Sequence, residues 1–202
     1  MQVNKCVGCE AFPCLDVNHD CYLVPEVELD PESVSLMMIS EAAPKESKDY
    51  YYAGAESLFE QTTVLAFQDA GLDVDTVQDL LDRGIYFTTA VKCGKIDYSI
   101  KVGTIKECSF ILEQEIDLFP NVRIFMLMGD VAIKAMNYIA KRKGEPRVIP
   151  AGSTYKIRGE DYYYLGRRTF PSYLQAGPSF FIERSKRKMI AEDISDALAL
   201  MD

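Results

Sequence analysis

Three short apolar segments, separated by stretches with helical spacing, constrain the fold more than any other feature of this sequence. They cover residues 34–40, 85–91 and 122–128. Each has the length of a strand and is bounded by polar or turn-forming residues. Apolar runs without alternation are typical of strands that are buried on both faces of a parallel sheet. We therefore predict a parallel sheet in the interior of the protein.

Helical segments alternate with these strands. Residues 55–70, 104–117 and 131–143 carry apolar side chains at helical spacing, and a last helix is predicted over residues 183–201. The alternation implies right-handed crossovers and an α/β fold, a three-layer α/β/α sandwich around a mostly parallel four-stranded sheet. Residues 155–157 and 162–165 flank the tetrapeptide RGED, which indicates a hairpin or a loop that leads into the fourth strand. One domain over residues 1–202, with an irregular cysteine-rich arm over residues 1–30, accounts for the pattern.

Composition narrows the class of protein. The chain has 202 residues, of which 48% are hydrophobic and 26% charged, as in ordinary globular proteins. No run approaches the roughly 18 apolar residues of a membrane span, and the N-terminus lacks the apolar core of a signal peptide. We therefore expect a cytoplasmic monomer without a membrane partner. Six cysteines in such a chain favour metal or redox chemistry over disulfides.

Charge is distributed unevenly along the chain. The net charge is −9, yet residues 141–188 contain twelve bases and only four acids. A protein that is acidic overall can still present one basic face to phosphate groups. The alternative interpretation is a set of solvated surface charges. Charge alone leaves DNA or RNA as a possible partner.

The cysteines form two groups. Cys6 and Cys9 make a CxxC pair in the arm, and Cys93 and Cys108 lie far along the chain, with 14 residues between them. Thiolates in this arrangement select zinc or an iron–sulfur cluster, which would attach the arm to the rest of the domain. Alternatively, Cys93 and Cys108 are small buried hydrophobic residues. Cys14 and Cys21 are surplus and could be free, paired in a disulfide, or substitute ligands.

Five further motifs follow in order along the chain. They are Ser40-Glu41-Ala42-Ala43-Pro44, Tyr51-Tyr52-Ala53-Gly54, Thr88-Thr89-Ala90-Val91-Lys92-Cys93, Leu127-Met128-Gly129-Asp130 and Phe170-Pro171-Ser172-Tyr173-Leu174. Together with the cysteine spacing, they resemble the iron–sulfur (family 4) uracil-DNA glycosylases, whose motifs read GE(A/G)PG, PFVG, TN(V/A)VKC, ALGR and HP(S/A)YLL. The resemblance extends over nearly the whole chain.

The resemblance implies roles for particular residues. Glu41 takes the catalytic acidic position, although a match on Pro44 would put Ala42 there. Expected base-binding residues are Ser40, Ala42, Tyr52, Thr89 and Phe170. Expected DNA-binding residues are Arg167, Arg168, Ser172 and Tyr173. A [4Fe–4S] cluster would be held by Cys6, Cys9, Cys93 and Cys108. The segments 40–54, 88–93 and 167–173 should meet at the carboxyl ends of the strands, where open α/β sheets bind ligands.

Two departures from the family motifs bear on function. Phe170 stands where the family has its histidine, and Thr89 where it has the asparagine that reads uracil; the single histidine, His19, lies in the arm. A threonine hydroxyl cannot replace the paired donor and acceptor of a carboxamide. We therefore expect a DNA glycosylase with a specificity altered from uracil, acting on a flipped, damaged or modified base. The alternatives are a non-catalytic iron–sulfur DNA-binding protein and a small redox or sensor protein.

Overall fold

The computed structural model describes residues 1–201, in which six strands form one sheet. The strands are β1 (Val17–Asn18), β2 (Leu36–Ala43), β3 (Ile85–Lys95), β4 (Ile124–Met128), β5 (Tyr162–Tyr164) and β6 (Arg167–Ser172). Their order across the sheet is β1-β3-β2-β4-β6-β5. The four central strands are parallel to one another, which confirms the predicted α/β class. Strands β1 and β5 are antiparallel additions at the edges, so the sheet has six strands instead of four.

Seven α-helices accompany the sheet within residues 1–201. They are α1 (Leu58–Asp69), α2 (Val77–Asp82), α3 (Val102–Asp117), α4 (Asp130–Arg142), α5 (Thr154–Ile157), α6 (Ser179–Ile182) and α7 (Arg184–Leu198). Helices α3 and α4 pack against each other and against the central strands, and α1 packs on α7 and α2. Within residues 1–201, none of these helices is both long enough and apolar enough to cross a bilayer.

The predicted hairpin differs from the observed one. Residues 155–157 belong to the short helix α5, and the hairpin joins β5 to β6 instead. Its two-residue turn uses Leu165 and Gly166, both at positive φ (49° and 78°). Two such residues are typical of the tight turn whose twist matches that of the flanking strands.

The arm packs along β3 and the start of α3. Strand β1 pairs with Gly94 and Lys95 at the end of β3, and the Leu23 amide donates to Lys92 O at 2.7 Å. The Asp16 carboxylate accepts hydrogen bonds from the Lys101 amide, at 2.7 Å, and from a hydroxyl in the first turn of α3. These contacts place the arm beside the carboxyl end of β3.

An ion pair is buried between β3 and α3. The side chains of Lys92 and Glu115 are both 0% exposed, and they contact each other directly. Lys92 Nζ also donates to Thr88 Oγ1 and Thr89 O, each at 2.7 Å, and Tyr86 OH donates to Glu115 Oε1 at 2.7 Å. Because every partner is hydrogen-bonded, the pair tolerates its removal from water.

Candidate active site

Glu41 lies near the carboxyl end of β2, between two clefts. Because β2, β3, β4 and β6 are parallel, their carboxyl ends meet at the same edge of the sheet. The Glu41 side chain is 18% exposed, and its Oε2 lies 3.5 Å from Lys95 Nζ. Both side chains line both clefts. The carboxylate is therefore partly shielded from water but accessible from two sides.

The Glu41 side chain packs closely against the backbone of Gly129. This glycine has φ of +98°, which other residues rarely adopt, and it precedes the first turn of α4. A Cβ atom here would lie 2.7 Å from Glu41 Oε1 and 2.8 Å from its Cγ. The Gly129 amide donates to Ser172 O at 3.0 Å, which ties the end of β4 to the end of β6. Only glycine allows the carboxylate to lie this close to the backbone.

The first cleft is largely apolar, with a volume of about 440 Å³. Its apolar lining residues are Ala42, Ala43, Pro44, Leu58, Phe59, Leu174, Ala176 and Pro178. Charged groups stand around it, among them Glu41, Lys95 and Lys45. Pockets that bind flat organic ligands commonly combine an apolar lining with a few polar groups in this way. We refer to it as the apolar cleft.

The second cleft has a volume of about 510 Å³ and is more polar. Its lysines are engaged with acids: Lys134 pairs with Asp130, and Lys186 lies 2.6 Å from Glu183. Lys186 Nζ also stands 5.4 Å from the centre of the Tyr173 ring. We refer to this second space as the charged cleft.

A ring of three hydrogen bonds is buried at the base of this edge. Ser40 Oγ donates to Gln175 Oε1 at 3.2 Å, Gln175 Nε2 donates to Tyr51 OH at 3.1 Å, and Tyr51 contacts Ser40. All three side chains are fully buried. Burial raises the pKa of Tyr51 well above its ordinary value, so the phenol stays neutral. The ring fixes the segment after β6 against β2.

Of the three base-binding residues expected on the strands, one lines a cleft and two do not. Ala42 lines the apolar cleft, whereas Ser40 and Thr89 are 0% exposed and pair with each other in the sheet register. Thr89 Oγ1 has no hydrogen-bond partner among the residues that the structure describes. Neither hydroxyl reaches the surface of a cleft.

Tyr52 lies outside both clefts. Its hydroxyl donates to Phe87 O at 2.8 Å and accepts from the Phe87 amide at 3.1 Å, so it closes part of the outer edge of β3. Its ring lines a separate cavity of about 350 Å³ between the arm and the segment after β2. The aromatic side chain that does line the apolar cleft is Phe59, at the start of α1.

Phe170 is distant from Glu41. It pairs with Met126 in the interior of the sheet, is 4% exposed, and lines a groove with Arg123 and Arg158. The Arg168 guanidinium lies 4.1 Å from the centre of the Phe170 ring. The structure therefore does not bring this residue to either cleft.

The expectation that all of segment 167–173 meets the other motifs is wrong for its first residues. Arg168 pairs with Ile124 at the beginning of β4, four residues before Ser172 and hence about 13 Å away along the strand. Arg168 also forms an ion pair with Asp161 at 2.7 Å. Ser172 is fully buried and donates to the Asp193 carboxylate, so only Tyr173 lines a cleft.

Acids neutralise much of the basic segment. Seven of the twelve bases in residues 141–188 form ion pairs within 4.0 Å, namely Arg142, Lys143, Arg158, Arg168, Lys186, Arg187 and Lys188. Such pairing reduces the positive potential that a phosphate backbone would meet.

Cys9 and Cys14 of the arm lie close to two cysteines of the central domain, Cys93 and Cys108. Cys93 and Cys108 are buried, at the end of β3 and on α3. Burial raises the pKa of Cys93 to about 12, and the neighbouring Cys108, Cys9 and Cys14 thiols add to the effect. Burial likewise raises the pKa of Cys108 to about 11, with contributions from Cys14 and Cys9. The soft sulfur donors fit a thiolate-bound group shared by arm and body.

Cys6 and Cys21 are placed differently. Cys6, which belongs to the predicted ligand set, is exposed, and its Sγ lies 3.5 Å from Gln2 O. It lines a cavity of about 590 Å³ together with Cys9, Cys14 and Cys108. Cys21 Sγ donates to Lys45 O at 3.1 Å, beside Gly94. Across residues 1–201, no three His, Cys, Asp or Glu side chains converge closely enough to hold a single metal ion.

Three residues of the site were not predicted from the sequence. Phe59 follows Ser57, whose side chain caps α1, and this capping pattern is visible in the sequence. Lys95 lies beyond the predicted end of the second strand, and Gln175 beyond the last motif. The sequence gives no signal for either one, since their positions depend on strand pairing and on the path of a loop.

Comparison with known proteins identifies the family of the chain but not the roles of single residues. The family model described as "Uracil DNA glycosylase superfamily" matches residues 27–193, which is most of the chain. A type-5 uracil-DNA glycosylase from Thermus thermophilus is 26% identical over 124 residues, covering 60% of this chain and 53% of the relative. The chain thus spans about half the length of this curated relative. On the extent of the family match, the chain belongs to the uracil-DNA glycosylase superfamily.

Proposed function

We propose that this protein excises a damaged or modified base from DNA by hydrolysing its N-glycosidic bond. The observation that carries the proposal is the position of Glu41. Its carboxylate lies against Gly129 and stands beside the apolar cleft, at the edge of the sheet where open α/β folds bind ligands. An extruded base needs a pocket of this kind, because it must leave the stack before its glycosidic bond can be attacked.

Glu41 supplies the chemistry that the bond cleavage requires. As the bond from C1′ to the base nitrogen breaks, positive charge develops on the sugar, and a nearby carboxylate stabilises it. The same carboxylate can orient a water molecule and accept its proton when the oxygen bonds to C1′. Partial shielding, with 18% of the side chain exposed, strengthens both effects relative to open water.

The apolar cleft supports the proposal that the specificity differs from uracil. Phe59 offers an aromatic wall, and the other apolar lining residues are aliphatic or small. Thr89 and Phe170 do not face this cleft, and the Gln175 carboxamide is engaged in the buried ring. Base selection would then depend on pocket size, on stacking and on the polar groups Glu41 and Lys95.

The proposed cofactor is a [4Fe–4S] cluster held by Cys9, Cys14, Cys93 and Cys108, with Cys14 in the place expected for Cys6. A tetrahedral zinc ion with Zn–S bonds of about 2.3 Å needs thiolates about 3.8 Å apart. A cluster distributes its four thiolates over separate irons and tolerates a wider spacing. In this proposal the cluster attaches the arm to β3 and α3 and takes no part in bond cleavage.

Iron content tests the ligand assignment. Purified protein should contain about four irons per chain and absorb near 400 nm. The substitution C14S should lower both, and C6S should leave both unchanged. Loss of iron in C6S with full retention in C14S would reverse the assignment, and a colourless protein containing zinc would refute the cluster.

Base release tests the activity. Duplexes that each carry one deaminated, oxidised or alkylated base would be incubated with the protein, and abasic sites detected by alkaline cleavage. At least one base should be released, and E41Q should abolish release while DNA affinity, measured by fluorescence anisotropy, stays within about twofold.

A second candidate is a non-catalytic DNA-binding member of the superfamily. Burial of Thr89 and the distance of Phe170 from Glu41 favour it, because both positions are expected to read the base. DNA binding without release of any base in the panel would replace the first proposal by this one.

A further inference from the structure

Breaking a glycosidic bond creates positive charge on the sugar and negative charge on the base, and Glu41 stabilises only the positive charge. The electron pair of the broken bond leaves with the base, so negative charge develops on its ring. A cationic or hydrogen-bond-donating group close to the base would stabilise this charge. The Phe170 side chain has no polar atom, and Thr89 is fully buried, so neither side chain can take this role.

Lys95 is placed to do so. Its Nζ lies 3.5 Å from Glu41 Oε2, and its side chain is 32% exposed and lines both clefts. An ammonium group has three donors, so contact with Glu41 leaves two of them free. The lysine thus stands on the same side of the site as the carboxylate that would face the sugar.

The backbone of Lys95 is held by the arm. Lys95 pairs with Val17 of β1. The preceding Gly94 is so closely packed that an added Cβ would lie 2.7 Å from Cys21 Cβ and 2.9 Å from Pro44 O. A side chain on a fixed backbone loses less freedom when it binds a ligand, which favours a precise role.

Other cations around the clefts are less suited. Lys134 pairs with Asp130, and Lys186 pairs with Glu183. Lys45 lines the apolar cleft but is exposed, and the described residues show no ion pair between it and Glu41.

We infer that Lys95 is a catalytic residue whose ammonium group stabilises the departing base. The inference rests on the proposed glycosylase function. In this reaction the C1′–N bond breaks and its electron pair passes to the base. The Lys95 ammonium group donates a hydrogen bond to this base. Water oxygen bonds to C1′, and its proton passes to Glu41.

The test uses leaving groups of different quality. Uracil and 5-fluorouracil have nearly the same size, but the fluorine makes the ring a better leaving group; hypoxanthine and xanthine form a corresponding purine pair. Single-turnover release from duplexes would be measured for the wild type, K95M and K95R. K141M provides the matched control, because Lys141 is exposed at the far end of α4.

If Lys95 stabilises the leaving group, K95M should slow release of the poorer leaving group by about 100-fold. The better leaving group should be slowed much less, K95R should retain most of the activity, and K141M should match the wild type. Equal slowing of both bases, or none, would overturn the inference while the glycosylase function stands. A wild-type protein that releases none of these four bases, and no base in the wider panel, overturns the proposed function and this inference with it.

Discussion

Glu41 and Gly129 are in direct contact, because a Cβ atom at position 129 would stand 2.7 Å from Glu41 Oε1. The two residues come from different strands, β2 and the end of β4, which are neighbours in the sheet. The glycine therefore decides where the carboxylate can lie. Backbone conformation at one strand end fixes the orientation of a side chain on another, which is how a parallel sheet can hold a carboxylate still.

The first prediction concerns this contact. The substitution G129A should displace Glu41 and reduce base release by at least tenfold, because the added methyl group occupies the position of the carboxylate. It should also lower the free energy of unfolding by about 1–2 kcal/mol, since φ is +98°. Single-turnover kinetics and urea denaturation measure the two effects.

G144A is the matched control for this prediction. Gly144 also has positive φ (+76°), but a Cβ atom there would meet nothing within 4 Å. This variant should show a similar loss of stability and unchanged release of the base. Equal kinetic defects in G129A and G144A would show that backbone strain, and not the contact with Glu41, determines the rate.

A second prediction concerns the buried ring of Ser40, Tyr51 and Gln175. Q175L keeps the volume but removes the carboxamide, so the buried hydroxyls of Ser40 and Tyr51 keep their contact with each other but lose their hydrogen bonds to Gln175. The free energy of unfolding should fall by about 2–3 kcal/mol. Q78L, on the exposed surface of α2, should change it by less than about 0.5 kcal/mol. Similar urea midpoints for the two variants would contradict the proposed importance of the ring.

The third prediction addresses the buried Lys92–Glu115 pair. K92M should lower the free energy of unfolding by about 3–5 kcal/mol, because it leaves the Glu115 carboxylate buried without a counter-charge. The double variant K92M/E115L should recover a large part of that loss. Urea denaturation of both variants measures the difference. A double variant less stable than K92M would show that the hydrogen bonds to Tyr86 and Thr88 matter more than the charge.

The fourth prediction is a pH dependence at Asp193. Burial raises the pKa of this carboxyl group, while hydrogen bonds from Arg158 and Ser172 oppose the rise. A raised folded-state pKa means that the group's contribution to stability is largest below about pH 4, the unfolded value, and declines as pH rises through the folded value. S172A removes one opposing donor and should raise the pKa further.

The cost of S172A should therefore grow with pH. We expect it to lower the free energy of unfolding by about 1–2 kcal/mol at pH 7 and by clearly less at pH 3.5. Urea titrations at the two pH values give the comparison. An identical cost at both values would mean that the Ser172–Asp193 hydrogen bond does not depend on the carboxyl charge.

The parallel core of the fold follows from the sequence, whereas the edges do not. Strands β2, β3 and β4 each contain an apolar run without alternation, because both faces of a central strand are covered. Strands β1 and β5 have only two and three residues, too few for any periodic pattern. Residues 155–157 include side chains that favour strands, but they form a helical turn that begins after Ser153. Here tertiary context prevails over local preference.

Only part of the candidate site could be predicted, because sequence patterns reveal buried strands but not the directions of side chains in loops. The position of Glu41 at the carboxyl edge of the sheet follows from its place near the end of a buried strand. Tyr52 and Phe170 were expected beside it, but the direction of a side chain depends on register and on the path of the chain, which spacing does not reveal. The choice between Cys6 and Cys14 likewise depends on how the arm folds back. Lys95 was missed because pairing with β1 extends β3 four residues beyond its apolar run.

Tyr52 has a consequence for the behaviour of the protein in concentrated solution. By bonding both backbone groups of Phe87, its hydroxyl occupies hydrogen-bonding positions that an incoming strand would otherwise use. An uncovered edge of an eleven-residue strand would be an open template for pairing between molecules. The phenol and the arm beyond it therefore protect against aggregation, so that loss of this one hydroxyl should reduce solubility before it affects any step of catalysis.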